Sequence, residues 1–167
     1  RNNKTSNDKA TELQVLQDFI KTYSKKNSLL PKFIVSFRPT SPVRYQKTIS
    51  KAVMLFKNKS KIYSGLRSIN LMSESSFKTY RIVQKKLSAL KKKDFNVEKY
   101  NLPRQNYPKT YEANGIIDIY KTRNILNGSG LGNKVFPYIT KDINSDIDDL
   151  DDWKYVEYFI KKNRFKI

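Results

Sequence analysis

The order of apolar patterns over the first sixty residues limits the fold more than any other feature of the chain. Residues 6–25 predict an amphipathic helix, with Ser6 or Thr11 as the N-cap, because large apolar side chains recur three and four positions apart: Leu13, Leu16, Phe19, Ile20 and Tyr23. A β-branched and aromatic run at 33–37 predicts a buried strand, which ends at the prolines of positions 39 and 42. Residues 48–57 predict a second helix, so the order helix, strand, loop, helix indicates an α/β fold.

The rest of the chain continues this pattern. Strands are predicted at 62–71, 77–83, 115–120 and 135–139, the last of them at a sheet edge because it contains Pro137. Residues 149–162 predict a C-terminal helix. Three glycines at 128, 130 and 132 are expected to form a turn rather than a phosphate-binding loop, because their spacing is GxGxG and a strand follows.

Composition excludes several classes of chemistry. The chain has 167 residues, 38% of them hydrophobic, which is typical of one folded domain. It has no cysteine and no histidine, so disulfide scaffolds, thiolate or imidazole catalysis and zinc sites built from these residues are excluded, and any metal would be bound by oxygen. The absence of a long apolar run or a signal-peptide pattern predicts a cytoplasmic protein.

The net charge of +19 leaves two interpretations open. Lysine and arginine gain affinity for nucleic acids by displacing the counter-ions of phosphates. However, the lysine runs at 85–86 and 91–93 lie in polar segments without the glycine and aromatic spacing of RNA-binding sheets. A solvated basic surface is therefore the favoured interpretation.

Five aspartates lie between positions 146 and 152, and they divide into two groups. Asp146 and Asp148 are two residues apart, so in an extended segment both side chains leave the same face and can bind one cation. The other three, Asp149, Asp151 and Asp152, are expected in the first helical turn, where carboxylates cap free N–H groups. An EF-hand loop starting at Asp146 is disfavoured, because Leu150 and Asp151 occupy the positions that need an oxygen ligand and a glycine.

Three segments of the chain resemble the cytidylyltransferases that activate sialic acids and related nonulosonic acids. They are PTSPVR at 39–44, RQNYPKTYEANG at 104–115 and DIDDLDDWKYVE at 146–157, in the same order as in that family. The resemblance implies a Rossmann-like layered nucleotidyltransferase fold with a mixed sheet, here as a single domain over residues 1–167. It implies transfer of CMP from CTP to an acidic nine-carbon sugar, with Mg²⁺, or Mn²⁺ in its place, as the cofactor.

The resemblance also implies roles for individual residues. Asp146 and Asp148 match the metal-binding pair, and Arg104 matches a basic residue that faces the acidic sugar; these three form the expected catalytic set. The expected substrate-binding residues are Arg104 and seven others: Lys78, Gln105, Asn114, Arg38, Thr40, Ser41 and Arg44. A homodimer is expected in which residues 77–109 form an arm that reaches the partner.

Two departures from the family pattern are present. Arg38 stands where the family usually has glutamine, at a position expected to be close to the sugar. The family's first strand and its loop that binds the CTP phosphates are expected before Arg1, so the chain corresponds to the C-terminal two-thirds of the family domain, and this fragment alone is expected to bind CTP poorly. The alternative functions are a catalytically inactive, basic nucleic-acid-binding or scaffold protein on the same fold, and a metal-dependent phosphohydrolase.

Overall fold

A mixed sheet of four strands forms the centre of the protein. The computed structural model describes residues 5–7, 9–90, 96–143 and 145–163. Its strands are β1 (Phe33–Ser36), β2 (Gly65–Leu71), β3 (Tyr80–Val83), β4 (Lys86–Ala89), β5 (Tyr111–Lys121) and β6 (Val135–Ile139). The sheet order is β1-β5-β2-β6, in which β5 is antiparallel to both neighbours and β6 is parallel to β2. The predicted α/β class with a mixed sheet and the edge position of β6 are thus confirmed.

Five helices accompany the strands in the described part of the chain: α1 (Glu12–Ser24), α2 (Gln46–Lys59), α3 (Val97–Tyr100), α4 (Thr122–Leu126) and α5 (Leu150–Lys162). Thr11 is the N-cap of α1, and its side chain accepts a hydrogen bond from the backbone N–H of Gln14, as one of the two predicted caps requires. The strand predicted from residue 62 begins instead at Gly65. The backbone N–H groups of Ile62 and Tyr63 donate to the carbonyl of Lys59, so these residues still belong to the turn that ends α2.

The strand predicted at 77–83 was wrong in its first half. Ser75 accepts a hydrogen bond from the backbone N–H of Phe77 and caps a short 3₁₀ turn, Ser76–Lys78. The strand that follows, β3, pairs with β4 in a separate two-stranded hairpin rather than joining the main sheet. Residues 80–89 therefore form a ribbon that is separate from the main sheet.

Helices cover both faces of the main sheet. Successive strand residues point to opposite sides, so neighbouring apolar residues of one strand contact helices on different faces. Ile119 belongs to a cluster on one face, with Ala52 and Phe56 of α2 and Leu66 of β2. Its neighbour Tyr120 belongs to a cluster on the other face, which comprises Leu16, Ile20, Ile34, Tyr120 and Ile125 from α1, β1, β5 and α4. The result is a three-layer arrangement of helix, sheet and helix.

The acidic run begins α5 as predicted. Asp149 is the N-cap and accepts hydrogen bonds from the backbone N–H groups of Asp151 and Asp152. Asp152 completes a capping box by accepting from the backbone N–H of Asp149. Since α5 begins at Leu150, it runs through positions that an EF-hand loop starting at Asp146 would need.

None of the helices in the described part of the chain has the length and apolarity needed to cross a lipid bilayer.

Candidate functional site

One edge of the main sheet gathers most of the residues singled out from the sequence. Both β1 and β2 are antiparallel to β5, and β6 is parallel to β2, so β1, β2 and β6 end at the same edge at which β5 begins. Loops that leave the carboxyl ends of strands at such an edge are the usual ligand-binding segments of open α/β sheets. The proline-rich loop, the Asn-Gly pair and the acidic run all lie here.

Ser41 joins these three segments. Its hydroxyl is fully buried and lies 3.3 Å from the backbone carbonyl oxygen of Asn114 and 3.4 Å from Oδ1 of Asp146, either of which can accept its proton. The acidic run is held to the proline loop by a second bond, since the backbone N–H of Ile147 donates to the carbonyl of Thr40 at 2.9 Å. Residues separated by 73 and 105 positions in the sequence thus meet at one hydroxyl group.

Arg44 and Arg38 have different roles in this loop. Arg44 donates from Nε to the carbonyl of Ile116 at 3.0 Å and from Nη2 to the carbonyl of Arg38, and its guanidinium lies over the ring of Phe37. Burial lowers the pKa of Arg44 below its ordinary value. Arg44 therefore holds the loop in shape, whereas the half-buried Arg38 lies against Gly115. The Thr40 side chain is exposed at the same edge.

Asn114 is fully buried and organises the start of β5. Its side-chain amide donates to Asn70 and Thr140, each at 2.7 Å, and its Oδ1 accepts from the hydroxyl of Ser68 at 2.6 Å. Residues 114–117 lie opposite the single residue Ser68 of β2, where the register shifts. Ser68 also accepts from the backbone N–H of Ile117, so the bulge leaves these polar groups bonded.

Gly115 follows at a positive φ of 66° and approaches the proline loop closely. A Cβ atom at this position would lie 2.4 Å from Oγ of Ser41 and 3.1 Å from Cδ of Arg38. Only glycine combines this backbone conformation with this space. The Asn-Gly pair is thus required by the contact between β5 and the proline loop.

We expect Gly115→Ala to lower the free energy of unfolding by about 2–4 kcal/mol, because it adds a collision with Ser41 to the strain of the positive φ. Gly128→Ala is the matched control, since Gly128 has a φ of 73° but no atom within 4 Å of the added Cβ; it should lose about 1 kcal/mol. Urea unfolding of both variants measures the difference. Equal losses would show that the close approach of Ser41 does not matter.

A cavity of about 440 Å³ opens beside this edge, at the end of β2. Its wall includes Arg104, Gln105 and Lys109, with Ser75 and Thr110, and none of its lining residues is acidic. Nη2 of Arg104 donates to the carbonyl of Met72 at 2.8 Å, which fixes the exposed side chain across the cavity wall. The cavity, called here the anion cavity, suits a ligand with a carboxylate or phosphate group.

The structure thus brings the candidate residues together in two adjacent groups. Arg38, Thr40, Ser41, Arg44, Asn114 and Asp146 form the first, called here the strand-end site. Arg104 and Gln105 line the anion cavity. Lys78 is half-buried in the neighbouring 3₁₀ turn and is not among the residues that line the cavity.

The carboxylate pair is chemically suited to a hard cation. Asp146 is half-buried and Asp148 is exposed, and the Asp148 carboxylate has no hydrogen-bond partner among the described residues. Within the described ranges, no three or more acidic side chains group together as a metal site. Two carboxylates fit Mg²⁺ or Mn²⁺, which commonly take their other ligands from water and from substrate phosphates. That both carboxylates bind one ion stays a prediction.

Several residues of the site carried no signal in the sequence. Ser68, Asn70 and Thr140 bond to Asn114 from 46, 44 and 26 positions away, and each lies within or beside an ordinary apolar strand. Lys109 lies within the segment 104–115 that resembles the family, but no local pattern distinguishes it from the other lysines. These contacts arise from strand order and from the bulge in β5, which local patterns do not encode.

At this edge of the sheet, two carboxylates follow β6 and a cavity lined by cations lies at the end of β2. The carboxylates can bind a divalent cation, and Arg104 with Lys109 can bind an anion. This combination suits a substrate with phosphate groups and a separate acidic group. The sequence matches no protein-family model, and no curated protein matches it significantly.

Proposed function

We propose that the strand-end site transfers CMP from CTP to a sialic acid-like nine-carbon sugar acid, giving the CMP-sugar and pyrophosphate. The observation that carries the proposal is the meeting of the three resembling segments at one edge of the sheet, with Ser41 between Asn114 and Asp146. Strand topology alone places these segments at one edge, but it does not require that one buried hydroxyl group contacts two of them. Their order in the sequence alone does not require it.

The reaction fits the charges of the two groups of residues. The sugar hydroxyl oxygen forms a bond to the α-phosphorus as the bond from that phosphorus to the bridging β-phosphate oxygen breaks, with loss of the hydroxyl proton and departure of pyrophosphate. Arg104 and Lys109 would hold the sugar carboxylate, and Asp146 with Asp148 would hold the divalent cation. A bound Mg²⁺ would neutralise the phosphate charge during this displacement.

The position of Arg38 bears on the choice of sugar. Its side chain lies against Gly115 within the strand-end site, so it adds a cation where the family usually has a neutral amide. A cation here favours a substrate with a second electronegative group. Among the nonulosonic acids, this position therefore favours those with a second electronegative group within reach of Arg38.

Pyrophosphate release tests the proposal. The complete translated polypeptide is incubated with CTP, Mg²⁺ and a panel of nonulosonic acids, each with a control lacking the sugar. Release that depends on one of the sugars is expected. Release that is the same without sugar would instead support the phosphohydrolase alternative, and no release with any sugar would reject the transferase.

We also propose that the expected arm at 77–109, of which the structure describes residues 77–90 and 96–109, joins two copies of the protein through the hairpin of β3 and β4. Ile82 and Leu87 face each other across the hairpin and are 77% and 52% exposed. A two-stranded hairpin is only marginally stable in water unless another surface covers it. A partner subunit would cover these side chains.

Ile82→Asp combined with Leu87→Asp should convert a dimer into a monomer, because two carboxylates would be desolvated in the interface. Sedimentation equilibrium measures the change. Met54→Asp is the control, since Met54 is an exposed apolar residue of α2, outside the hairpin. A monomeric parent protein, or a double variant that stays dimeric, would contradict the proposed arm.

A further inference from the structure

A second cavity lined by cations, called here the basic cavity, lies at the opposite ends of the strands of the main sheet, away from the strand-end site. Its volume is about 560 Å³, and it is lined by residues where β1 begins and β5 ends. Four cationic side chains from three segments contribute to its wall: Lys32, Lys61, Lys121 and Arg123. This basic cavity has no part in the proposed transfer reaction.

The four cations have no counter-charge in the described part of the chain. No acidic residue lines the basic cavity, and none of the four forms an ion pair with a described carboxylate. Unpaired cations are common in this chain, which carries 34 lysine and arginine residues against 15 acidic ones. What distinguishes the basic cavity is that four of them converge on one concave site.

Lys121 is the most buried of the four cations. Only 8% of the residue is exposed, although lysine is almost never buried without a partner. Burial lowers the pKa of its ammonium, and the nearby charge of Arg123 lowers it further. A bound anion would offset both the lost hydration and the repulsion between these two cations.

The other part of the wall is apolar. Leu30, Pro31, Phe33 and Leu126 line the basic cavity beside the cations. A free inorganic anion would leave this surface in contact with water. A ligand with an apolar or aromatic body would cover it and gain from its burial.

We propose that the basic cavity binds a small phosphate monoester with an apolar or aromatic organic part. The phosphate would lie among Lys121, Lys32 and Arg123, and the organic part would contact Phe33 and Leu126. A concave site with a nearly buried cation fits a compact ligand, whereas a nucleic-acid strand is bound along an extended row of exposed cations. The proposal is independent of the reaction proposed for the strand-end site.

Isothermal titration calorimetry with phenyl phosphate tests the proposal, at constant ionic strength, with EDTA and in an Arg104→Gln, Lys109→Gln background, so that neither a bound metal nor the anion cavity contributes. We expect one site per chain and tighter binding of phenyl phosphate than of inorganic phosphate. Lys32→Gln with Arg123→Gln should weaken phenyl phosphate binding at least about tenfold, because two charge-assisted contacts are lost. Both residues are exposed, so this double variant should fold.

Lys21→Gln with Lys25→Gln is the control, since it removes the same charge from exposed positions of α1 and its C-cap, outside both cavities. It should change phenyl phosphate binding less than twofold. Equal weakening by both double variants, or absence of binding to the parent protein, would overturn the proposal. An oligonucleotide that binds the parent protein but not the Lys32 and Arg123 variant, when phenyl phosphate binds neither, would also overturn the proposal.

Discussion

Asp146→Asn should lower the rate of sugar-dependent pyrophosphate release at least about 100-fold, because it removes a charged ligand of the proposed cation and keeps the shape of the side chain. The amide oxygen of asparagine can still accept the hydrogen bond that Ser41 Oγ offers to Oδ1. The loop should therefore keep its structure. The rate of pyrophosphate release and the thermal unfolding midpoint, measured on the same preparation, separate the loss of charge from a loss of fold.

Asp151→Asn is the matched control for this prediction. Asp151 belongs to the same acidic run, but it is exposed, lies in the first turn of α5 and pairs with Lys154 at 2.9 Å. Its replacement should leave the turnover rate nearly unchanged. If both variants lose activity equally, the net charge of the run matters rather than a site at Asp146, and if Asp146→Asn keeps full activity, the metal assignment is wrong.

Arg67→Met should lower the free energy of unfolding by about 3–5 kcal/mol at neutral pH, because it leaves a buried carboxylate without its partner. Arg67 donates to Asp118 from Nε at 3.0 Å and from Nη2 at 2.7 Å, across neighbouring strands. Only 5% of Asp118 is exposed, so water cannot replace the lost bonds. Urea unfolding at pH 7 measures the loss.

The loss should shrink as the pH falls. The net shift of the Asp118 pKa is upward: burial, the largest contribution, raises it, Arg67 lowers it, and Glu12, 3.8 Å from the same guanidinium, adds a smaller upward contribution. Without Arg67 the pKa of Asp118 in the folded protein rises further. The neutral form of Asp118 then stabilises the folded state, and this contribution is fully present below the unfolded pKa of about 3.9. The contribution is lost as the pH rises through the folded pKa. The deficit of Arg67→Met should therefore be larger at pH 7 than at about pH 4.5.

Asp118→Asn provides the comparison for this pair. It removes the buried charge and leaves Arg67, whose side chain is one-third exposed and can still be hydrated. Its loss of stability at pH 7 should be smaller than that of Arg67→Met. The reverse order would show that the carboxylate is not effectively desolvated and would contradict the pH dependence as well.

The fold and the strand-end site could be predicted from the sequence to different extents. Local rules located α1, α5 and the short strand β1, because amphipathic spacing, caps and prolines act within a few residues. The same rules missed the 3₁₀ turn at Ser76–Lys78, since the choice between a strand and a turn there depends on the Ser75 side chain. The meeting of Ser41 with Asn114 and Asp146 depends on strand order, which no local pattern encodes.

The resemblance and the structure contribute separately to the account of the site. The resemblance selected Asn114 and Arg104 although neither has a distinctive local pattern. The structure adds a physical reason for the first, since Asn114 bonds to Asn70 and Thr140 and holds the bulge of β5. It adds Lys109 and Thr110 to the surroundings of the second, in the anion cavity.

The fate of the α-phosphorus tests the central claim most directly. The complete translated polypeptide is incubated with CTP labelled at the α-phosphate, Mg²⁺ and the sugar acid that supports pyrophosphate release, and the labelled products are separated. A nucleotidyltransferase at the strand-end site predicts that the label moves into the CMP-sugar in an amount equal to the pyrophosphate released. Label that appears only in free CMP or CDP, or that stays in CTP with every sugar acid, would contradict the account.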